Sequence, residues 1–189
     1  MALEKLKKSL IEAPIVKKGD YFYVVHPITD GVPEIKADLL NEVIAEIQNR
    51  IEKLDKFDKI VTIEAMGIPL ATSLSLRTEK PFVIIRKRSY GLEGEIVVEQ
   101  KTGYSKSNLY INGLKKGDKI VIVDDVLSTG GTLKAVLKIL DKIGVIIKGI
   151  CIVVDKGNNA KKIQEKYKVD INVLVNIEVI DGKVVIKNS

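Results

Sequence analysis

The chain has 189 residues, 46% of them hydrophobic, and a formal net charge of +6. That length fits one domain with a sizeable core, and no 18-residue apolar run is present to serve as a helical membrane span. A single cysteine excludes a disulfide within the chain and argues against a metal cluster. Cys151 stands inside the apolar run Ile150 to Val154, which predicts a buried thiol. The lysines are spread along the whole chain beside nearly as many acids. The positive balance therefore suits anionic ligands without forming a nucleic-acid footprint, and neither nucleic acid nor membrane is an expected partner. Met1 to Ile11 is Lys-rich and amphipathic and lacks the apolar core of a signal peptide, so a cytoplasmic protein is expected.

In chain order, His26 beside Pro27 lies in an extended region and is expected to be structural. Asp38 to Leu54 predicts a helix, with Leu40, Val43, Ile44, Ile47, Ile51 and Leu54 on one face. Ile60 to Ile63 predicts a buried strand, followed by the turn Glu64-Ala65-Met66-Gly67 and a helical stretch to about Leu76. Phe82 to Ile85 is a second strand, ending on Arg86-Lys87-Arg88-Ser89-Tyr90. Tyr90 to Asn108 is polar, rich in glycine and serine and without helical period, and predicts a long loop. Ile120 to Val123 is a strand ending on Asp124 and Asp125. After a short glycine-containing turn, Leu133, Val136, Leu137 and Leu140 mark a helix. Gly149 to Val154 predicts a strand, Ala160 to Tyr167 a helix, and Val173 to Val175 and Ile177 to Ile180 two short strands. Asp181-Gly182 reads as a hairpin turn before Val184 to Ile186. β-Branched strands alternating with helices predict an α/β fold with a doubly wound parallel sheet, whose ligand lies at the strand C-terminal ends.

The stretch Val121 to Thr132 carries the clearest chemistry. Two carboxylates at the end of a strand can accept hydrogen bonds from sugar hydroxyls. The following helix N-terminus offers unpaired backbone N–H groups to a phosphate. Ser128, Thr129 and Thr132 supply hydroxyls at the helix entry, where they are expected to cap it, and Gly130 and Gly131 let an anion approach the backbone. A ribose 5-phosphate has both features. The turn at Glu64 to Gly67 is open to two readings, a plain strand–helix connection or a second anion site. The cations Arg86, Lys87 and Arg88 are either a solvated run or a means of neutralising a phosphate group.

Val121 to Thr132 resembles the phosphoribosyl pyrophosphate motif of the type I phosphoribosyltransferases. The resemblance covers essentially the full length, so residues 1–189 are expected to form one domain, with a small hood built from the N- and C-terminal segments. It implies Asp124 and Asp125 as catalytic residues on the ribose hydroxyls. It assigns the 5-phosphate to Ser128, Thr129, Gly130, Gly131 and Thr132. Glu-Ala-Met-Gly resembles the pyrophosphate loop of adenine-type members, with Met66 where they usually carry Arg. Ala65, Met66 and Gly67, with Arg86 and Lys87, would then meet pyrophosphate. Ser89 and Tyr90 would begin a mobile lid running from Gly91 to Ser107. Lys156 matches the lysine with which oxopurine-specific members donate to the base 6-oxygen, and Val175, Ile177 or Val179 would stack on the purine.

Ser128 stands where mammalian-type oxopurine enzymes carry the acid that deprotonates the base. Glu95 and Glu99 are the remaining candidates for that role. The combination is similar to the archaeal hypoxanthine/guanine phosphoribosyltransferases, purine-salvage enzymes giving IMP or GMP. It implies Mg²⁺ as cofactor with no protein metal cluster, phosphoribosyl pyrophosphate and a purine base as substrates, and a homodimer. The alternatives are an adenine phosphoribosyltransferase giving AMP, and a regulator of the same fold that senses phosphoribosyl pyrophosphate and binds nucleic acid.

Overall fold

The computed structural model describes residues 3–19, 21–101 and 106–187. From the N-terminus it runs through α1 (Glu4–Ile11), the hairpin strands β1 (Ile15–Lys18) and β2 (Tyr21–Val24), the single turn α2 (Pro27–Asp30) and α3 (Ala37–Ile51). The central part holds β3 (Lys59–Ile63), α4 (Gly67–Thr78), β4 (Phe82–Ile85), β5 (Ile96–Lys101), β6 (Lys106–Ile111), β7 (Lys119–Leu127) and α5 (Gly131–Ile143). β8 (Ile146–Lys156), α6 (Asn159–Tyr167), β9 (Ile171–Ile180) and β10 (Lys183–Lys187) complete it.

Six strands form the main sheet in the order β10-β9-β8-β7-β3-β4. Every neighbouring pair is parallel except β9 with β10, which the Asp181-Gly182 turn joins as an antiparallel hairpin. Side chains alternate across the central strand. Val121 and Val123 enter one apolar cluster with Leu6, Leu10, Val43, Ile47, Leu70 and Leu74. Ile120 and Ile122 enter the other with Leu133, Val136, Leu140 and Ile163. Helices α1, α3 and α4 thus cover one face and α5 and α6 the other, the doubly wound arrangement expected of the sequence. Cys151 on β8 is fully buried, and burial pushes its thiol pKa up to about 12.

Several boundaries differ from the sequence reading. β7 does not stop at Val123 but continues through Asp124 and Asp125 to Leu127, because β8 pairs with it as far as Leu127↔Asp155. β9 is one ten-residue strand rather than two short ones, and α3 ends at Ile51 with Leu54 beyond it. The stretch Tyr90 to Asn108 is not an unstructured loop. β5 and β6 pair antiparallel from Ile96↔Ile111 to Lys101↔Lys106, and residues 102–105 of the expected lid lie outside the described residues. Val98, Leu109 and Ile111 bury themselves in the α5 side of the core, which anchors the hairpin. A backbone bridge between Arg86 and Tyr110 ties it to the end of β4. At the other end of the sheet α1 packs on α3 and on β10, bringing the N- and C-terminal segments together.

Candidate active site

Asp124 and Asp125 are the sixth and seventh of the nine residues of β7, where the strand approaches the sheet's C-terminal rim. Asp125 is only 7% exposed, while Asp124 keeps partial contact with solvent. Both carboxyl pKa values are raised above the ordinary range. Removal from water is the main cause for each, and the adjacent Asp125 charge adds to it for Asp124. Asp30 of α2 pushes the Asp125 pKa further up, whereas Lys156 draws Asp125 down and Lys87 draws Asp124 down. The pair therefore senses charges from three other parts of the chain.

The turn after β7 leads into α5 through Gly130, whose φ of 73° is left-handed. A Cβ at Gly130 would also stand 2.5 Å from Ile163 Cδ1, so dihedral and packing both select glycine. The N-cap position falls on this glycine, with Ser128 and Thr129 just before it and Thr132 in the first turn. Lys134 Nζ donates to Thr129 O at 3.1 Å and Asn159 Nδ2 to Ser128 O at 2.7 Å, so the turn is braced from two helices.

The loop after β3 leans directly on the carboxylates. A Cβ on Gly67 would lie 1.9 Å from Thr62 Oγ1 and 2.9 Å from Asp124 Oδ1, so only glycine permits this approach. The Glu64–Ala65 peptide is cis. Met66 closes the loop toward α2, where a Cβ on Gly31 would meet its Cε at 3.2 Å. Glu64 Oε2 accepts from Lys87 N at 3.0 Å and stands 3.1 Å from Arg86 Nε, an ion pair without hydrogen-bond geometry. Arg86 thus reaches the loop already paired with an acid. Its guanidinium also lies 5.8 Å from the Tyr90 ring centroid, and that of Arg88 5.0 Å.

Beyond β4 the chain is fastened by Glu95. Its carboxylate accepts from Tyr90 N at 3.0 Å, from Asn112 Nδ2 at 2.9 Å and from the Ser89 hydroxyl. Asn112 and Ser89 are the largest causes of a Glu95 pKa lowered to about 2. A carboxylate so well supplied with donors is a weak proton acceptor in this arrangement, against its expected candidacy as base. Glu99, the other candidate, sits exposed on β5 and lines a cleft with Lys134 and Lys138 of α5, away from the Lys156 cavity.

That cavity, of about 490 Å³, opens beside the phosphate turn. Ser128 and Thr129 of the turn line it, together with Lys156 at the end of β8 and the apolar Ile177 and Val179 of β9. Phe22 of β2, 37% exposed, also lines it, with Gly157, Asn159 and Glu178. Val175, the third apolar candidate, is not part of it. It is 2% exposed and belongs to the α3-side core one pleat further from the strand end.

Residues 32–184 match the family described as phosphoribosyl transferase domain. The chain belongs to the phosphoribosyltransferase family. It is 57% identical to the hypoxanthine/guanine phosphoribosyltransferase of Methanocaldococcus infernus, over 97% of this chain and all of that one. It is 56% identical to the protein of the same name from Methanobacterium lacus, over 98% of this chain and 97% of that one. Among solved structures, adenine phosphoribosyltransferase from Thermoanaerobacter pseudethanolicus superposes with a TM-score of 0.75 at 27% identity, covering 92% of this chain and 99% of that chain.

Within this family fold, the structure brings together Asp124, Asp125, Ser128 to Gly131, Gly67, Lys87 and Lys156, all at C-terminal strand ends. It leaves Val175 and Glu99 apart. Sequence reasoning missed Phe22, Asp30 and Asn159. Only Phe22 had a local signal, an aromatic among the alternating residues of a short N-terminal strand. His26 is structural, as expected. Its Nδ1 accepts from Ile28 N at 3.2 Å as the cap of α2, and its Nε2 lies 2.8 Å from Ser9 Oγ. Ser9 gives its own proton to Leu6 O, so His26 Nε2 is the donor in that contact. Burial lowers the His26 pKa to about 4, keeping the ring neutral. Among the described residues no group of three or more His, Cys, Asp or Glu is placed to hold a metal ion.

Proposed function

We propose that this protein transfers the 5-phosphoribosyl group of phosphoribosyl pyrophosphate to hypoxanthine or guanine, releasing pyrophosphate and forming IMP or GMP. The observation that carries the reading is that Lys156, the phosphate turn and apolar residues of β9 share one cavity, with Asp125 near enough for the Lys156 charge to lower its pKa. A lysine ammonium only donates, so it pairs with a 6-oxygen and rejects the amino group of adenine. The base lies between Ile177 and Val179 on one side and Phe22 on the other. The carboxylates hold the ribose 2- and 3-hydroxyls, and the N–H groups at the start of α5 hold the 5-phosphate. The turn at Ala65 to Gly67, with Lys87, receives the pyrophosphate. Fixing base, sugar and leaving group in line supplies most of the rate gain, and fixed donors stabilise the leaving charge.

Magnesium fits this donor set. A carboxyl pair without a third ligand suits an ion carried mainly by phosphate oxygens, and when bound it would neutralise charge on the departing pyrophosphate. On the same reading the enzyme is a cytoplasmic homodimer with a hood formed by α1, the β1–β2 hairpin and the C-terminal strands. The names of the archaeal relatives support the oxopurine choice, while the Glu-Ala-x-Gly loop and the adenine-enzyme fold favour adenine as the second reading. Pyrophosphate release measured with hypoxanthine, guanine, adenine, orotate and uracil, with and without Mg²⁺, separates them. Turnover of the two oxopurines is expected; a clear preference for adenine, or no release with any base, overturns the assignment.

A further inference from the structure

Asn159 is the first residue of α6, and its side chain reaches two functional turns at once. Nδ2 donates to Ser128 O at 2.7 Å and to Lys156 O at 3.1 Å. The reversed amide would set its oxygen against two carbonyl oxygens, so the side chain has a single sensible orientation. Asn159 is not needed to cap its own helix. The buried Asp155 does that, accepting from Asn159 N at 3.1 Å and from Ala160 N at 2.8 Å. Both carbonyl partners and Asn159 itself border the same cavity. One amide group therefore joins the backbone of the turn after β7 to the backbone from which the Lys156 side chain springs.

Resting on the reading that the first turn binds the 5-phosphate and Lys156 the base, we propose that Asn159 is a positioning residue coupling the two subsites. An occupied phosphate site fixes the Ser128 carbonyl. Through Nδ2 this fixes the Lys156 carbonyl and sets the ammonium where the base 6-oxygen arrives. Such coupling is reciprocal: each ligand tightens the other by the same factor.

The test uses two fragments that cannot react, ribose 5-phosphate and hypoxanthine. Their dissociation constants are measured calorimetrically, each alone and in the presence of the other, for the unsubstituted protein, Asn159→Ala and Asn159→Ser. Asn159→Ser is too short to reach both carbonyls and is readily accepted at a helix start, so it guards against a folding failure. The unsubstituted protein should bind hypoxanthine about 10-fold more tightly with ribose 5-phosphate present, within the usual range of site–site coupling. In both variants that ratio should fall below about 2, with each fragment alone held within about threefold, because the coupling factor and not the separate sites is lost. A ratio unchanged in both variants, a ratio near one in the unsubstituted protein, or equal weakening of each fragment alone overturns the proposal. Failure of the unsubstituted protein to bind ribose 5-phosphate at all would instead overturn the functional reading beneath it.

Discussion

Replacing Asp125 by asparagine should make the protein more stable and far less active. Asp125 is nearly buried, and its carboxyl pKa is raised from 3.8 to about 7, chiefly by loss of water. Below the unfolded value both states hold the proton and the group is neutral with respect to stability. As pH rises past it the unfolded chain ionises while the folded one resists, so stability falls by about 1.4 kcal/mol per pH unit until the folded carboxyl ionises. Over that window the cost reaches about 2–4 kcal/mol, the lower figure allowing for relaxation around the pair. An amide avoids it, because it carries no charge to strip of water. Asp125→Asn should therefore gain about 2 kcal/mol at pH 8, which is about 4–8 °C in Tm for a chain of this size. The gain should vanish near pH 4. Loss of a carboxylate on the ribose hydroxyls should lower kcat/KM for phosphoribosyl pyrophosphate about 100-fold, or ~2.7 kcal/mol. Thermal unfolding of both proteins from pH 4 to pH 8, with pyrophosphate-release kinetics alongside, measures both effects. A variant less stable at pH 8, or a Tm difference independent of pH, would refute the electrostatic account of this pair.

Lys156→Ala should reduce kcat/KM for hypoxanthine and guanine by about 30-fold, a hydrogen bond from a charged donor being worth about 1.5–3 kcal/mol. Parallel assays with adenine should show little further loss, and equal loss on every base would remove Lys156 from base recognition. Gly67→Ala forces a methyl onto Thr62 Oγ1 and Asp124 Oδ1; denaturant unfolding should register a loss of about 1–3 kcal/mol and activity should collapse with it. For Glu95, a pKa lowered to about 2 means that its tie to Ser89, Tyr90 and Asn112 is complete above the ordinary glutamate range and is lost as pH falls toward 2. Glu95→Gln should leave that fastening weakened at all neutral pH values, seen as faster tryptic cleavage after Arg88 and faster exchange of the Tyr90 amide; unchanged protection in both would show that Glu95 does not hold the segment.

The parts of the fold that were legible are those whose information is local. The α5 face needs only Leu133, Val136, Leu137 and Leu140 at helical spacing, and the phosphate turn needs only the order of strand, acids, glycines and helix. The β5–β6 hairpin was hidden because its apolar alternation is short and framed by Gly91, Gly94 and serines, which read as loop; its stability comes from burying Val98, Leu109 and Ile111 against a helix some 25 residues further on. Val175, Ile177 and Val179 share one face of β9 by period alone. Which of them meets the cavity depends on where β8 ends, fixed by the pairing Lys156↔Ile177. Glu95 looked like a free acid in a lid because its partner Asn112 lies 17 residues away. Asn159 carries no signal of its role, because the two carbonyls it joins carry no mark in the sequence.

The lone sulfhydryl on β8 has a practical consequence. Cys151 is sealed within the core and its thiolate is strongly disfavoured at neutral pH, so alkylating probes should pass it by in the folded enzyme. Any cysteine engineered onto the surface, such as at Glu99 on the hairpin, would then be the one position a maleimide fluorophore or spin label can reach. Motions of that hairpin during turnover could be followed without first stripping the natural chain of sulfur.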